Sequence, residues 1–205
     1  MNEHFLSIFQ QPNAPVARGK YLSRIFGIFS EEIVRLWASD HRCAYEDLGR
    51  PTLRKDGQKK GFTLDFTLCN KATGKSYVAE LKCEIEYQNY KYSVLSDVEH
   101  LSHHQKPAFF ALLDVAARKP EQKILIRGKL VDVDGAILIW GEATDDGRRA
   151  VIEEYGFFEV LTMAEIIRDL QNWGYEPYKK FIEDRQLWAN EMFDALLASN
   201  TTRRA

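Results

Sequence analysis

Two acidic residues and a lysine lie in neighbouring apolar segments, at a spacing that could support metal-dependent hydrolysis. Asp65 lies in the segment 61–68, and Glu80 and Lys82 lie in the segment 76–82. Mg²⁺ is typically held by one or two carboxylates, water and substrate phosphates. A bound metal lowers the pKa of water and stabilises developing negative charge, and phosphodiester cleavage needs both effects. The three residues are therefore candidates for a phosphodiester-cleaving site.

Both segments alternate between apolar and polar residues with a period of two, which predicts a β-hairpin. Residues 70–75 between them are rich in turn formers. A hairpin centred on this turn places Asp65 opposite Glu80 and Thr63 opposite Lys82. Like charges on cross-strand neighbours repel, so a cation between the two acids would stabilise them. Such a trio also occurs as ordinary surface charge, and this alternative stays open.

A third acid is predicted on the first helix. Apolar residues recur at steps of three and four over residues 18–40, which predicts an amphipathic helix. Glu31 points away from the apolar stripe, whereas Glu32 lies at its border and could reach towards the sheet. Glu32 is therefore the better candidate for the site. A salt bridge with Arg35 or Arg24 is its alternative role.

The remaining pattern predicts a mixed α/β (α+β) fold, in which a central mixed β-sheet is flanked by helices. Asp134-Gly135 is a hairpin turn signal between two apolar runs. Thr162 and Glu165 have the spacing of a capping box. The other predicted elements are a strand within 41–48, a basic loop at 50–60, a helix over 97–118 that Pro107 kinks or splits, strands at 123–126 and 157–161, and helices over 162–172 and 178–197.

Composition is typical of a single globular domain. The 205 residues are 45% hydrophobic and 28% charged, with a net charge of −2, so any attraction for nucleic acid would be local. The three cysteines lack CxxC spacing, which argues against a zinc knuckle or a disulfide framework. Neither a signal peptide nor a membrane-spanning run is recognisable, so we expect a cytoplasmic protein without membrane contact. One domain is expected over residues 1–205, with a core at 18–172 and a helical extension at 175–200.

The order of these residues resembles the PD-(D/E)XK nuclease superfamily, the restriction-endonuclease-like proteins. An acid in the first helix, Asp65 in a strand, and Glu80-Leu81-Lys82 after 14 intervening residues match its pattern. Leu64 stands where a proline often precedes the aspartate. The resemblance covers residues 18–141, and it implies a restriction-endonuclease-like central sheet.

The resemblance also implies an activity, which is the hydrolysis of DNA by a Mg²⁺- or Mn²⁺-dependent nuclease of the restriction or repair type. Asp65, Glu80 and the backbone carbonyl of Leu81 would hold the metal, and Glu32 would complete the site directly or through water. Lys82 would orient or help to deprotonate the attacking water. A homodimer is compatible with cutting two strands. A non-catalytic nucleic-acid-binding or scaffold protein on the same fold is the alternative.

Other residues near this pattern have two interpretations each. Glu84 could hold Lys82 or could be an exposed acid. His100 and His104 would share a helix face, where phosphate contact or plain exposure is favoured over a transition-metal site. Asp132 and Asp134 are better explained as turn residues than as metal ligands.

Overall fold

The computed structural model describes residues 21–83, 93–119 and 122–197. Five α-helices lie within these ranges, together with a 3₁₀ helix at Val98–Leu101. The α-helices are α1 (Tyr21–Ser39), α2 (Pro107–Ala116), α3 (Asp145–Tyr155), α4 (Met163–Asn172) and α5 (Glu176–Leu197).

Eleven short strands in the same ranges form three sheets. In chain order the strands are β1 (Tyr45–Asp47), β2 (Pro51–Lys55), β3 (Phe62–Thr63), β4 (Phe66–Asn70), β5 (Ser76–Lys82), β6 (Val94–Leu95), β7 (Gln122–Ile126), β8 (Lys129–Val131), β9 (Gly135–Trp140), β10 (Glu142–Ala143) and β11 (Glu159–Thr162). The central sheet has the order β1-β4-β5-β9-β11. Its first three strands are antiparallel and its last three are parallel, so the predicted mixed sheet is confirmed.

Both faces of the central sheet are covered. On one face, Ala79 and Ile139 pack in a core with Trp37 of α1 and Ile166 of α4. The opposite face is packed against α2, α3 and the four-stranded sheet β3-β2-β7-β8. Every residue of β9 is buried, as expected for a parallel strand with cover on both sides. Helices therefore flank the sheet as predicted.

Local signals explain several helix boundaries. Thr162 accepts a hydrogen bond from the Glu165 N–H at 3.2 Å, and the Glu165 carboxylate accepts one from the Thr162 N–H at 3.1 Å. The predicted capping box is thus confirmed. The helix predicted over 97–118 is split, because Pro107 lacks an N–H and suits the first position of α2.

Two predictions about the connections were wrong, and one helix was not predicted. Residues predicted as the loop 50–60 include β2, which pairs with both β3 and β7. Asp134-Gly135 does not turn a hairpin, because β8 pairs with β7 whereas β9 runs parallel to β5. Helix α3 was not anticipated. Among the described helices, none combines the length and the apolar character needed to cross a membrane.

An acid and lysine site beside the end of strand β5

The strand predicted over 61–68 is divided at Asp65. Thr63 pairs with Thr52 of β2, so the prediction that it lies opposite Lys82 was wrong. The Leu64 N–H donates to the Pro51 carbonyl at 3.0 Å, which holds this part of the chain in the smaller sheet. Strand β4 then begins in the central sheet at Phe66. Asp65 therefore lies at the joint between two sheets.

The register of the hairpin beyond this joint is the predicted one. Phe66 pairs with Ala79 and Leu68 pairs with Tyr77. The Asn70 side chain accepts hydrogen bonds from two turn N–H groups, which explains why the turn forms there. One step further along this register, Asp65 and Glu80 are neighbours.

The division of the strand exposes an edge of β5 to Asp65. The Leu81 N–H donates a hydrogen bond to Asp65 Oδ2 at 2.9 Å, so a side-chain carboxylate takes the position that a backbone carbonyl of a neighbouring strand would occupy. The N–H and C=O of one residue point towards the same edge of a strand. The Leu81 carbonyl therefore points to the Asp65 side, where Lys82 Nζ approaches it at 3.4 Å.

Glu80 is a buried acid with only one of its oxygens satisfied. It is 9% exposed, and its Oε1 accepts a hydrogen bond from Lys82 Nζ at 2.5 Å. Its Oε2 is buried and, when Asp65 and Glu80 are both ionised, has no hydrogen-bond donor among the described residues. Burial raises the pKa of Glu80 to about 6 and Lys82 opposes this rise, whereas Asp65 adds to it through its negative charge and through a hydrogen bond that the protonated Glu80 can make to it. Two ionised carboxylates this close repel each other, so protonation of one of them or nearby positive charge stabilises the pair.

Arg50 joins the site from the loop before β2. Its Nη2 lies 3.3 Å from Asp65 Oδ1, and its Nε donates to the Leu64 carbonyl at 3.3 Å. The side chain is half exposed, so the guanidinium also faces solvent. Arg50 and Lys82 thus place two positive charges beside two carboxylates. Glu80 Oε2 is the oxygen that could bind a further cation without displacing Lys82.

Glu32 is not brought into this group by the contacts of the described residues. Its Oε1 accepts a hydrogen bond from Arg35 Nη1 at 2.6 Å, and Glu31 accepts one from the same guanidinium at 3.0 Å. Helix α1 packs against the face of β5 opposite to that of Glu80. The salt bridge with Arg35 weighed in the sequence analysis is therefore present.

No cluster of three or more His, Cys, Asp or Glu side chains suited to a metal occurs in the described ranges. Asp65 and Glu80 are a pair of carboxylates, which is within the usual number for Mg²⁺. Asp134 lies at the other end of β5, where its carboxylate accepts a hydrogen bond from the Ser76 N–H at 2.9 Å. Asp132 is exposed nearby, and Glu84 lies outside the described residues.

The sequence pattern did not indicate that His104 lies near Lys82, as it does in the structure. The His104 ring lies 4.7 Å from the Phe109 ring and 5.7 Å from that of Trp140, which pairs with Lys82 across β5 and β9. Burial lowers its pKa to about 3, with smaller contributions from nearby positive charges, so the imidazole is neutral at physiological pH. His100 and His104 do not share a helix face, because the 3₁₀ helix ends at Leu101.

Comparison of the chain with protein-family models, with curated proteins and with solved structures finds no match. The assignment of a function therefore depends on the sequence pattern and on the geometry around Asp65, Glu80 and Lys82.

Proposed function

We propose that the protein is a metal-dependent nuclease that hydrolyses DNA phosphodiester bonds at Asp65, Glu80 and Lys82. The observation that carries the proposal is the unsatisfied, buried Oε2 of Glu80 beside Asp65. An unpaired polar atom in a buried position costs free energy, and an ionised one costs more. Such groups are concentrated at sites where a ligand or an ion completes the pairing.

The oxygen atoms around Glu80 fit a hard divalent cation. Asp65, Glu80 and the Leu81 carbonyl would hold Mg²⁺ or Mn²⁺, which prefer carboxylate and carbonyl oxygens. When bound, such an ion supplies Lewis acidity and lowers the pKa of water. Because Glu32 is paired with Arg35, we assign the metal to the other three groups and place Glu32 at the periphery.

The cationic side chains have complementary roles in this proposal. Lys82 is fixed by Glu80 Oε1 and the Leu81 carbonyl, so its ammonium can orient a water molecule or stabilise charge on a phosphate oxygen. Arg50 is half exposed and can attract the phosphate backbone. Uncatalysed phosphate-ester hydrolysis is so slow that a barrier reduction of about 20 kcal/mol is required, which positioning and electrostatics must supply together.

A non-catalytic nucleic-acid-binding or scaffold protein is the second candidate. The observation that favours it is the charge balance, because the ion pairs of Arg50 with Asp65 and of Lys82 with Glu80 place one cation beside each carboxylate. In that case DNA would bind without a divalent ion and would not be cut.

Asp65→Ala tests the proposal. The purified protein would be incubated with supercoiled plasmid, linear duplex, single-stranded DNA and RNA, in Mg²⁺, Mn²⁺ or EDTA. We expect cleavage of DNA by the wild type with a metal ion, and a loss of about 10³-fold or more in Asp65→Ala, equivalent to about 4 kcal/mol. Asp194→Ala is the matched control, since Asp194 is exposed on α5. Full activity in Asp65→Ala would disprove the mechanism, and metal-independent binding without cleavage would favour the second candidate.

A further inference from the structure

A cavity lies at the opposite end of the central sheet from Lys82. It has a volume of about 510 Å³ and is lined by Tyr77 at the start of β5, by residues from the start of β9 and by the segment after α2. Volumes of this size are typical of small-molecule sites. Tyr77 and Lys82 are five residues apart on β5, or about 16 Å. The cavity is thus separate from the site proposed for cleavage.

One wall of the cavity carries an unsatisfied amide. Gln122 begins β7 and contributes to the lining, while its Nε2 and Oε1 are shielded from solvent and have no hydrogen-bond partner in the described part of the chain. A buried amide that makes no hydrogen bond destabilises the fold, so a rotation of the Gln122 side chain that brings the amide to a ligand in the cavity would be favourable. The partner that satisfies both atoms presents one donor and one acceptor side by side.

Another wall is aromatic. The Phe158 ring stacks on the Tyr77 ring with a centroid separation of 4.2 Å and an angle of 17° between the planes. Tyr77 is buried, whereas Phe158 is half exposed and lines the cavity. A planar heterocycle can stack on such a ring, and stacking of this kind tolerates different bases.

The lining of the cavity carries charged groups of both signs. Lys75 and Arg118 contribute positive charges that form no ion pair with the described residues, whereas Lys119 is paired with Asp114 at 2.9 Å. Asp132 and Asp134 contribute exposed carboxylates to the lining, and that of Asp134 accepts the hydrogen bond from the Ser76 N–H. The two cations suit a phosphate, and the Asp132 carboxylate can accept hydrogen bonds from hydroxyl groups.

We infer that this cavity binds a nucleotide, with the base edge on Gln122, the base face on Phe158 and the phosphate on Arg118 and Lys75. A nucleobase carries adjacent donors and acceptors on a planar ring, and a nucleotide joins it to a hydroxylated sugar and a phosphate. This single class of ligand matches the unsatisfied amide, the stacked aromatic wall and the mixed charges.

Isothermal titration calorimetry in EDTA, on a protein that carries Glu80→Gln, tests this site after metal-dependent binding at the proposed cleavage site has been removed. The titrants are AMP, GMP, CMP and UMP, with ribose 5-phosphate and inorganic phosphate as partial ligands and a 5′-phosphorylated oligonucleotide as the chain-bound form. We expect at least one mononucleotide to bind about tenfold or more tightly than either partial ligand. The ratio of mononucleotide to oligonucleotide affinity shows whether the site prefers a free nucleotide or the phosphorylated end of a nucleic-acid chain.

Two variants locate the binding. Arg118→Asn should weaken nucleotide binding about tenfold to a hundredfold, and Arg127→Asn is its matched control, because both arginines have left-handed backbone and only Arg118 lines the cavity. Asparagine tolerates this backbone, so neither variant should unfold. Gln122→Leu should abolish selectivity among bases and leave the melting temperature equal or higher.

Two results would overturn the site. The first is a lack of mononucleotide binding at millimolar concentration. The second is binding that Arg118→Asn and Gln122→Leu both leave unchanged. Equal affinity for inorganic phosphate and for the mononucleotides would overturn the role given to Gln122 and Phe158. Failure of DNA cleavage would not affect this inference, because the residues and the conditions differ.

Discussion

Two acid–base pairs of identical spacing, Asp40 with Arg42 and Glu80 with Lys82, have opposite surroundings. Both acids are buried. Asp40 Oδ1 accepts hydrogen bonds from the Arg42 N–H and Nε, and Oδ2 accepts one from Nη2 at 2.7 Å. Both oxygens of Asp40 are satisfied, whereas Glu80 has one satisfied oxygen and one without a partner in the described residues.

The pKa shifts of the two acids have opposite signs. Hydrogen bonds from the Arg42 guanidinium hold the pKa of Asp40 well below its usual range. Burial raises the pKa of Glu80 to about 6 in spite of Lys82. Arg42 also donates to the Trp173 carbonyl at 2.7 Å, so the first pair ties the end of α1 to the end of α4. Under the proposed function, the fully satisfied acid serves the fold, whereas the half-satisfied one is available to a metal ion.

Exchange of the acid for its amide should separate the two roles. Glu80→Gln should lower metal-dependent cleavage about 10³-fold, or about 4 kcal/mol, because a ligand charge is lost, whereas the free energy of unfolding near neutral pH should stay equal or rise by up to about 2 kcal/mol. Asp40→Asn should leave cleavage within about twofold but lower the free energy of unfolding by about 1–2 kcal/mol, because the partly exposed Arg42 loses a charged partner. Cleavage rates and urea denaturation measure the two effects.

Each variant is the control for the other, since each removes one buried negative charge. The comparison would fail if Glu80→Gln proved strongly destabilising with cleavage intact. It would also fail if Asp40→Asn lost cleavage without losing stability.

The pH dependence of stability should likewise have opposite signs at the two acids. The folded pKa of Glu80 is above its ordinary value of 4.5, so its contribution to stability is present below pH 4.5 and is lost as pH rises through about 6. The loss is on the order of 2 kcal/mol. The folded pKa of Asp40 is below 3.8, so its contribution is present above that pH and is lost in acid.

Urea unfolding from pH 3 to pH 7 in EDTA measures both contributions. Relative to the wild type, Glu80→Gln should gain stability between pH 4.5 and pH 7. Asp40→Asn should approach the wild type as pH falls below about 4. Parallel pH profiles for the two variants would contradict the distinction between the pairs.

The sequence predicted the hairpin register because the determinants are local. Period-two alternation and the turn at Asn70 suffice to place Phe66 opposite Ala79, and the extension of this register brings Asp65 to Glu80. The capping box at Thr162 and the interruption before Pro107 were equally predictable, since each depends on residues within one helical turn. The core of the site is therefore encoded in short-range patterns.

What the sequence did not predict depends on distant partners. The strand division at Asp65 follows from pairing of Thr63 with Thr52 in a segment that looked like a polar loop. The neighbourhood of His104 depends on β9, whose pairing with β5 requires a crossover. Helical periodicity placed Glu32 at the border of the apolar stripe. It could not decide whether the Glu32 carboxylate reaches the sheet or pairs with Arg35, which lies one turn away on the same helix.

Glu32→Gln provides the smallest and most discriminating test. Glu32 and Arg35 form a partly exposed pair on α1, and such pairs contribute about 0.5 kcal/mol or less. We therefore expect less than about a threefold change in cleavage, equivalent to about 0.7 kcal/mol, and little change in stability. Cleavage rates at several Mg²⁺ concentrations measure the effect.

Glu31→Gln is the matched control, because both acids bind the same guanidinium. A loss approaching that of Glu80→Gln in Glu32→Gln alone would mean that Glu32 leaves Arg35 to join the metal, as the superfamily resemblance implies, and that an acid partly exposed on α1 can act as a ligand.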